Sequence, residues 1–163
     1  MTRSFVGRWW WALAAVVCGA ASAGAQQLPE AEVREVAATA GGAPLRYVVQ
    51  LPIDWSSKAW TPLVVRLPGH GSDGEALAAA RGEVERLGPT LCASGWVVVA
   101  PVRGAQGLEL APLFVALRRT FRIEQGGVHV VCSGDEASVA AVGRVLHEVE
   151  TVTFDGPIEG GQS

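Results

Sequence analysis

Ser133 opens the run Ser133-Gly134-Asp135-Glu136, directly after the apolar stretch Val128 to Cys132. A serine at a strand-to-helix junction has two uses. It can act as a nucleophile, if a general base lies within hydrogen-bond reach and backbone N–H groups face the developing oxyanion. It can also cap a helix: the hydroxyl accepts from a main-chain N–H in the first turn while a Glu three residues on reaches back, the spacing of a capping box. Ser133 and Glu136 have that spacing, and we read Ser133 first as a cap.

The available bases are His70, His129 and His147. His129 sits inside an apolar run and is expected in a strand. His147 is expected inside a third helix, more than about 10 Å from the start of that helix at ~1.5 Å rise per residue. Only His70, within Gly69-His70-Gly71, is expected near Ser133. No His-x3-His or Cys-x2-Cys spacing occurs, so no metal site is expected. The glycines from Gly69 to Gly74 lack the Lys-Ser/Thr of a phosphate loop, and no cofactor is expected. A net charge of −3 gives no footprint for nucleic acid.

The elements that must position these residues follow from periodicity. Val33 to Ala38 and Leu45 to Leu51 read as a hairpin around Gly41-Gly42. Leu63 to Leu67, Trp96 to Ala100, Val128 to Cys132 and Val149 to Phe154 are short apolar runs that read as strands. Between them, Leu77 to Leu91 recurs at helical spacing and is expected to bend or end near Gly88-Pro89. Leu110 to Phe121 predicts a second helix, with Arg118, Arg119 and Arg122 suiting its C-terminal turn; Val139, Val142 and Leu146 predict a third. The order is a hairpin, then βαβαβαβ, which predicts an α/β three-layer sandwich around a mostly parallel sheet of about six strands, covered on both faces. Trp55 and Trp60 lie in the loop 52–62, as covers of the sheet edge or as stacking surfaces.

The first 25 residues read as a secretory signal peptide: Arg3 and Arg8, an apolar run from Trp9 to Ala21, then Ala23-Gly24-Ala25 before Gln26. An uncleaved anchor and a lipoprotein are the alternatives, though Val16-Val17 before Cys18 suits a lipoprotein poorly. The expected organisation is a leader at 1–25, a polar lead-in at 26–35, one domain at 36–158 and a tail at 159–163. The protein is expected to be exported, periplasmic or extracellular, and free of the membrane once cleaved. Cys92 and Cys132 are expected at opposite ends of the sheet and therefore unpaired.

Collinear motifs then carry a resemblance. Tyr47-Val-Val-Gln-Leu-Pro52, Pro62-Leu-Val-Val-Arg-Leu-Pro-Gly-His-Gly-Ser-Asp-Gly74, Gly95-Trp-Val-Val-Val-Ala-Pro101 and Arg122-Ile-Glu-Gln-Gly-Gly-Val-His-Val130 resemble the opening half of secreted esterases of the polyhydroxyalkanoate-depolymerase and feruloyl-esterase type. The resemblance covers about residues 44–157. It implies a truncated α/β-hydrolase fold, supplying the first six of eight strands, with a nucleophile on a G-x-S-x-G turn and a triad in the order Ser, acid, His. The motif residues depart from that pattern. An ungapped alignment puts Cys132 and Glu136 on the two glycines, Gly134 on the nucleophile and Asp135 on the variable position. With one residue deleted, Ser133 becomes the nucleophile and both glycines are missing. In the oxyanion loop, Pro68 replaces the family's His before Gly69, His70 and Gly71. No His follows Asp155.

Three readings follow. The chain is a non-catalytic hydrolase-fold module that binds or interacts, or a divergent carboxylesterase using Ser133 with His70, or a truncated gene product without selected function. As a consequence of the truncation, Val149 to Phe154 is expected to be a sheet edge, which either pairs with a second copy or is covered by the tail, for which the short, Gly-rich run from Ile158 to Ser163 is poorly suited.

Overall fold

The computed structural model describes residues 27–37, 44–67, 73–102, 110–133 and 136–155. The strands are β1 (Glu32–Val36), β2 (Leu45–Gln50), β3 (Thr61–Arg66), β4 (Val97–Pro101), β5 (Ile123–Ser133) and β6 (Thr151–Asp155). The helices are α1 (Asp73–Ala93), α2 (Leu110–Phe121) and α3 (Glu136–Gly143), with short 3-10 turns at Trp55–Ser57 and Leu146–Glu148. One six-stranded sheet runs β1-β2-β4-β3-β5-β6. β1, β2 and β4 pair antiparallel, and β4, β3, β5 and β6 pair parallel. The expected hairpin and three-layer arrangement are both present.

The sheet divides the apolar side chains into two cores. Leu63, Val65, Val97, Val99, Val128 and Val130 pack beneath α2 and α3, joined by Leu113, Phe114, Leu117 and Phe121. On the other face Val48, Val98 and Ala100 meet Ala76, Ala80, Val84 and Cys92 of α1. Cys92 and Cys132 are both buried, Cys132 in the first core and Cys92 in the second, on opposite faces of the sheet. The lead-in belongs to the body: Leu28 and Ala31 pack against the second core, and β1 begins at Glu32, inside the stretch expected to be a lead-in.

Four expectations are corrected. Of the bend or end expected near Gly88-Pro89, the end does not occur: α1 continues to Ala93 with Pro89 inside it. Pro89 is exposed, so the carbonyl that loses its N–H partner can turn to water. β5 is longer than Val128 to Cys132, because Ile123 joins the sheet beside Thr61 before an irregularity that brings Val128 opposite Leu63. Gly126 takes a left-handed φ of 77° there, and a Cβ on Gly127 would stand 2.9 Å from that of Glu124, so both glycines are needed for the bulge. The third helix ends at Gly143, leaving Leu146 and His147 in a separate 3-10 turn. Finally, β6 is not buried on both faces. Val152 and Phe154 are half-buried against the first core, whereas Thr151, Thr153 and Asp155 are exposed. Thr-Val-Thr-Phe-Asp is the alternation of a strand with one wet face, and α1 packs on β2 and β4 instead.

Residues 1–25, where a leader is expected, residues 156–163, where the tail is expected, and the Gly-His-Gly loop lie outside the described residues. Among the described residues no helix is long and apolar enough to cross a membrane.

Candidate functional site

The C-terminal ends of β3, β5 and β6 meet at one place, fixed by backbone pairing. Arg66 lies beside Val131, and Ser133 beside Asp155. The Leu67 N–H donates to the Val131 carbonyl at 2.8 Å, so the chain enters the loop bearing His70 close to the end of β5. The loops after β3 and β5 therefore leave adjacent strands, as expected. Ser133 is the last residue of β5, and α3 begins at Glu136. The strand-to-helix junction is thus present. Gly69, His70, Gly71, Gly134 and Asp135, together with the side chains of Ser133 and Glu136, lie outside what the structure describes, and so do the cap and the nucleophile geometry.

The other histidines are placed. His129 is on β5, four residues before Ser133, which is about 13 Å of strand. Its Nδ1 meets Thr151 Oγ1 at 2.6 Å, its Nε2 lies 3.9 Å from Glu150, and its ring tilts over Trp96 at 5.0 Å. Burial lowers its pKa from the ordinary value, with Glu150 opposing. His147 lies in the turn before β6, and the Glu150 N–H donates to the Val128 carbonyl. That puts His147 toward the beginning of β5, at the other end from Ser133. Neither histidine can reach Ser133.

The residue that sequence reasoning missed is Arg66. It occupies the end of β3 with its side chain 11% exposed. Its Nε donates to Glu83 of α1 at 2.9 Å, and its Nη1 lies 2.6 Å from the Asp155 carboxylate as a charge contact rather than an aligned hydrogen bond. Arg86 donates to the same Glu83 oxygen at 2.7 Å. Burial pushes the Glu83 carboxyl up, but hydrogen bonds and charge from Arg86 and Arg66 together hold it below its ordinary range. The signal was in the sequence: one cation inside Leu63 to Leu67 must find an anion when the strand is buried. Asp155, one residue past the strand expected at Val149 to Phe154, is the last residue of β6 and one of those anions.

The loop tryptophans divide. Trp55 packs edge-on against Phe121, with centroids 6.0 Å apart, while Trp60 is 65% exposed. Among the described residues no group of three His, Cys, Asp or Glu is placed to hold a metal.

Comparison with known proteins identifies the fold. A thermostable esterase superposes with a TM-score of 0.58 at 17% identity, over 76% of this chain and 40% of its own. The ferulic acid esterase AmCE1/Fae1A from the anaerobic fungus Anaeromyces mucronatus gives 0.53 at 12%, over 82% and 61%. Est1E from Butyrivibrio proteoclasticus gives 0.53 at 12%, over 74% and 49%. The chain therefore has the α/β-hydrolase fold, and it spans about two fifths to three fifths of the length of these structures. No protein-family model and no curated protein sequence matches it.

Proposed function

We propose that this chain is an exported α/β-hydrolase-fold protein that no longer hydrolyses esters and serves as a binding or interaction module. The observation that carries the reading is the fate of Asp155. It is the acidic residue that β6 brings level with Ser133, and its carboxylate is engaged by Arg66 at 2.6 Å, a structural ion pair at the place where a triad would need a free acid. A triad needs the acid on the base and the base on the nucleophile. Among the described residues neither histidine approaches this corner of the sheet. The sequence adds that neither register keeps the family's two glycines, Cys132 and Glu136 standing there in the ungapped one and Val131 and Asp135 in the one that makes Ser133 the nucleophile, and that Pro68 stands where the family keeps a histidine.

The expected result is no turnover of short-chain nitrophenyl esters above background and no labelling by a fluorophosphonate. Activity that disappears in Ser133→Ala would overturn the proposal. It would favour the second reading, a divergent carboxylesterase pairing Ser133 with His70. The adjacency of the β3 and β5 exits supports that alternative.

Export is a separate part of the proposal and rests on the leader alone. Protein recovered outside the cytoplasm should begin at Gln26, as read by mass. A recovered chain that still carries residues 1–25 would instead mean an anchor.

A further inference from the structure

The polar lead-in is tied to the body from Leu28 onward. Leu28 and Ala31 pack against the core that holds Val48, Val98, Ala76 and Ala80. Between them the Pro29 carbonyl accepts from Gln50 Nε2 at 2.9 Å. Gln50 is 8% exposed, its side chain is set against Gly88 of α1, and its main-chain carbonyl accepts from Cys92 Sγ at 3.4 Å. The Gln50 amide has one useful orientation: turned over, its oxygen would meet the Pro29 carbonyl, and two acceptors cannot bond. One residue past Ala31, β1 begins to pair with β2.

This anchor lies close to the bond that leader removal would cut. Ala25 and Gln26 flank that bond, and only Gln26 and Gln27 stand between it and Leu28. A peptidase takes its substrate as an extended stretch of several residues, free of the fold. On the leader side, the apolar run ends at Ala21. Residues 22–27 carry the chain from there to Leu28, at most about 25 Å when fully extended, against a width of about 35 Å for a folded body of this length. From this spacing we infer that the folded body shields the bond between Ala25 and Gln26, so that leader removal must precede folding and a chain that folds first keeps its leader as an anchor. The cut itself is a hydrolysis by the export peptidase: water adds across the bond, leaving a carboxylate on Ala25 and an amine on Gln26. The order of events rests on the proposed leader at 1–25 and is independent of whether Ser133 is catalytic.

The test uses the full chain, leader included. It is diluted from urea into detergent micelles, and a signal peptidase is added either at once or after refolding is complete. Cleavage is followed by mass. The refolded chain should be cut at least about tenfold more slowly, at a rate set by local opening of the lead-in. Gln50→Leu removes the donor to Pro29 from a site remote in sequence from the bond, and it should recover much of the lost rate. A spacer of about six Gly and Ser residues between Gln27 and Leu28 keeps the anchor and lets the bond stand up to ~20 Å further from it. It should recover the rate with the fold unchanged, checked by circular dichroism. Equal rates before and after refolding overturn the inference, and so does a slow cut that the spacer fails to relieve. No cut in either state overturns the leader itself, and the inference with it.

Discussion

Arg66 shows how one residue can bind three elements. Its guanidinium ties the end of β3 to Glu83 of α1 and to Asp155 of β6. Arg66→Met should destabilise the protein by about 2 kcal/mol, read from urea unfolding, because Glu83 keeps Arg86 and Asp155 is half exposed to water. Titration sharpens this. Glu83 has a depressed pKa, so its contribution is present above the unfolded value near 4.5 and is lost as pH falls through the lower folded value. His129 is also depressed, by burial first and against Glu150. Its neutral form is favoured in the fold, so this contribution is present above the unfolded value near 6.5 and is lost as pH falls through the folded one. Stability should therefore fall in two stages on acidification. His129→Gln should remove the upper stage and Arg66→Met should blunt the lower. Cys92 behaves differently: burial pushes its thiol up to about 12, so it should resist alkylating reagents in the native state at neutral pH and react once the protein unfolds. Arg66 was visible in the sequence as a charge in an apolar run, but its partners come from α1 and β6, which no local pattern connects.

The elements were more legible than their ends. α2 was read to the residue from its apolar stripe, and the strands from short β-rich runs. α1 was misjudged because Gly88-Pro89 signals a stop, whereas tertiary packing requires the glycine. A Cβ on Gly88 would fall 1.6 Å from Gln50 Oε1. Gln50 is buried, and its Nε2 holds the Pro29 carbonyl at 2.9 Å, pinning the lead-in against β2 and α1. In an exposed helix, Gly→Ala stabilises by about 1 kcal/mol. Here the methyl must turn the Gln50 amide away, at a cost of about 1–3 kcal/mol for the group left unpaired. Gly88→Ala should thus be net destabilising by about 1 kcal/mol, and limited proteolysis should cut the lead-in at 27–31 sooner than in the unaltered protein. β6 illustrates the opposite lesson: its alternation was present in Thr-Val-Thr-Phe-Asp, but the assumption of a sheet covered on both faces obscured it.

At the scale of the molecule, the alternation of strands and helices was enough to predict a three-layer α/β body, and the superpositions confirm the fold. The spatial order of the strands was not legible, because it depends on where each crossover lands and not on any single segment. That order has a kinetic consequence. β3 stands between β4 and β5, both of which come later in the chain, and β2 also waits for β4. As the polypeptide emerges from its N-terminus, β2 has only β1 beside it and β3 has no neighbour until Pro101 has appeared. The central apolar strands are thus made early and matched late. Such long-range pairing is slow and leaves sticky surface bare. A nascent chain of this design should need a holding chaperone during synthesis, and it should fold all at once when β4 and β5 arrive.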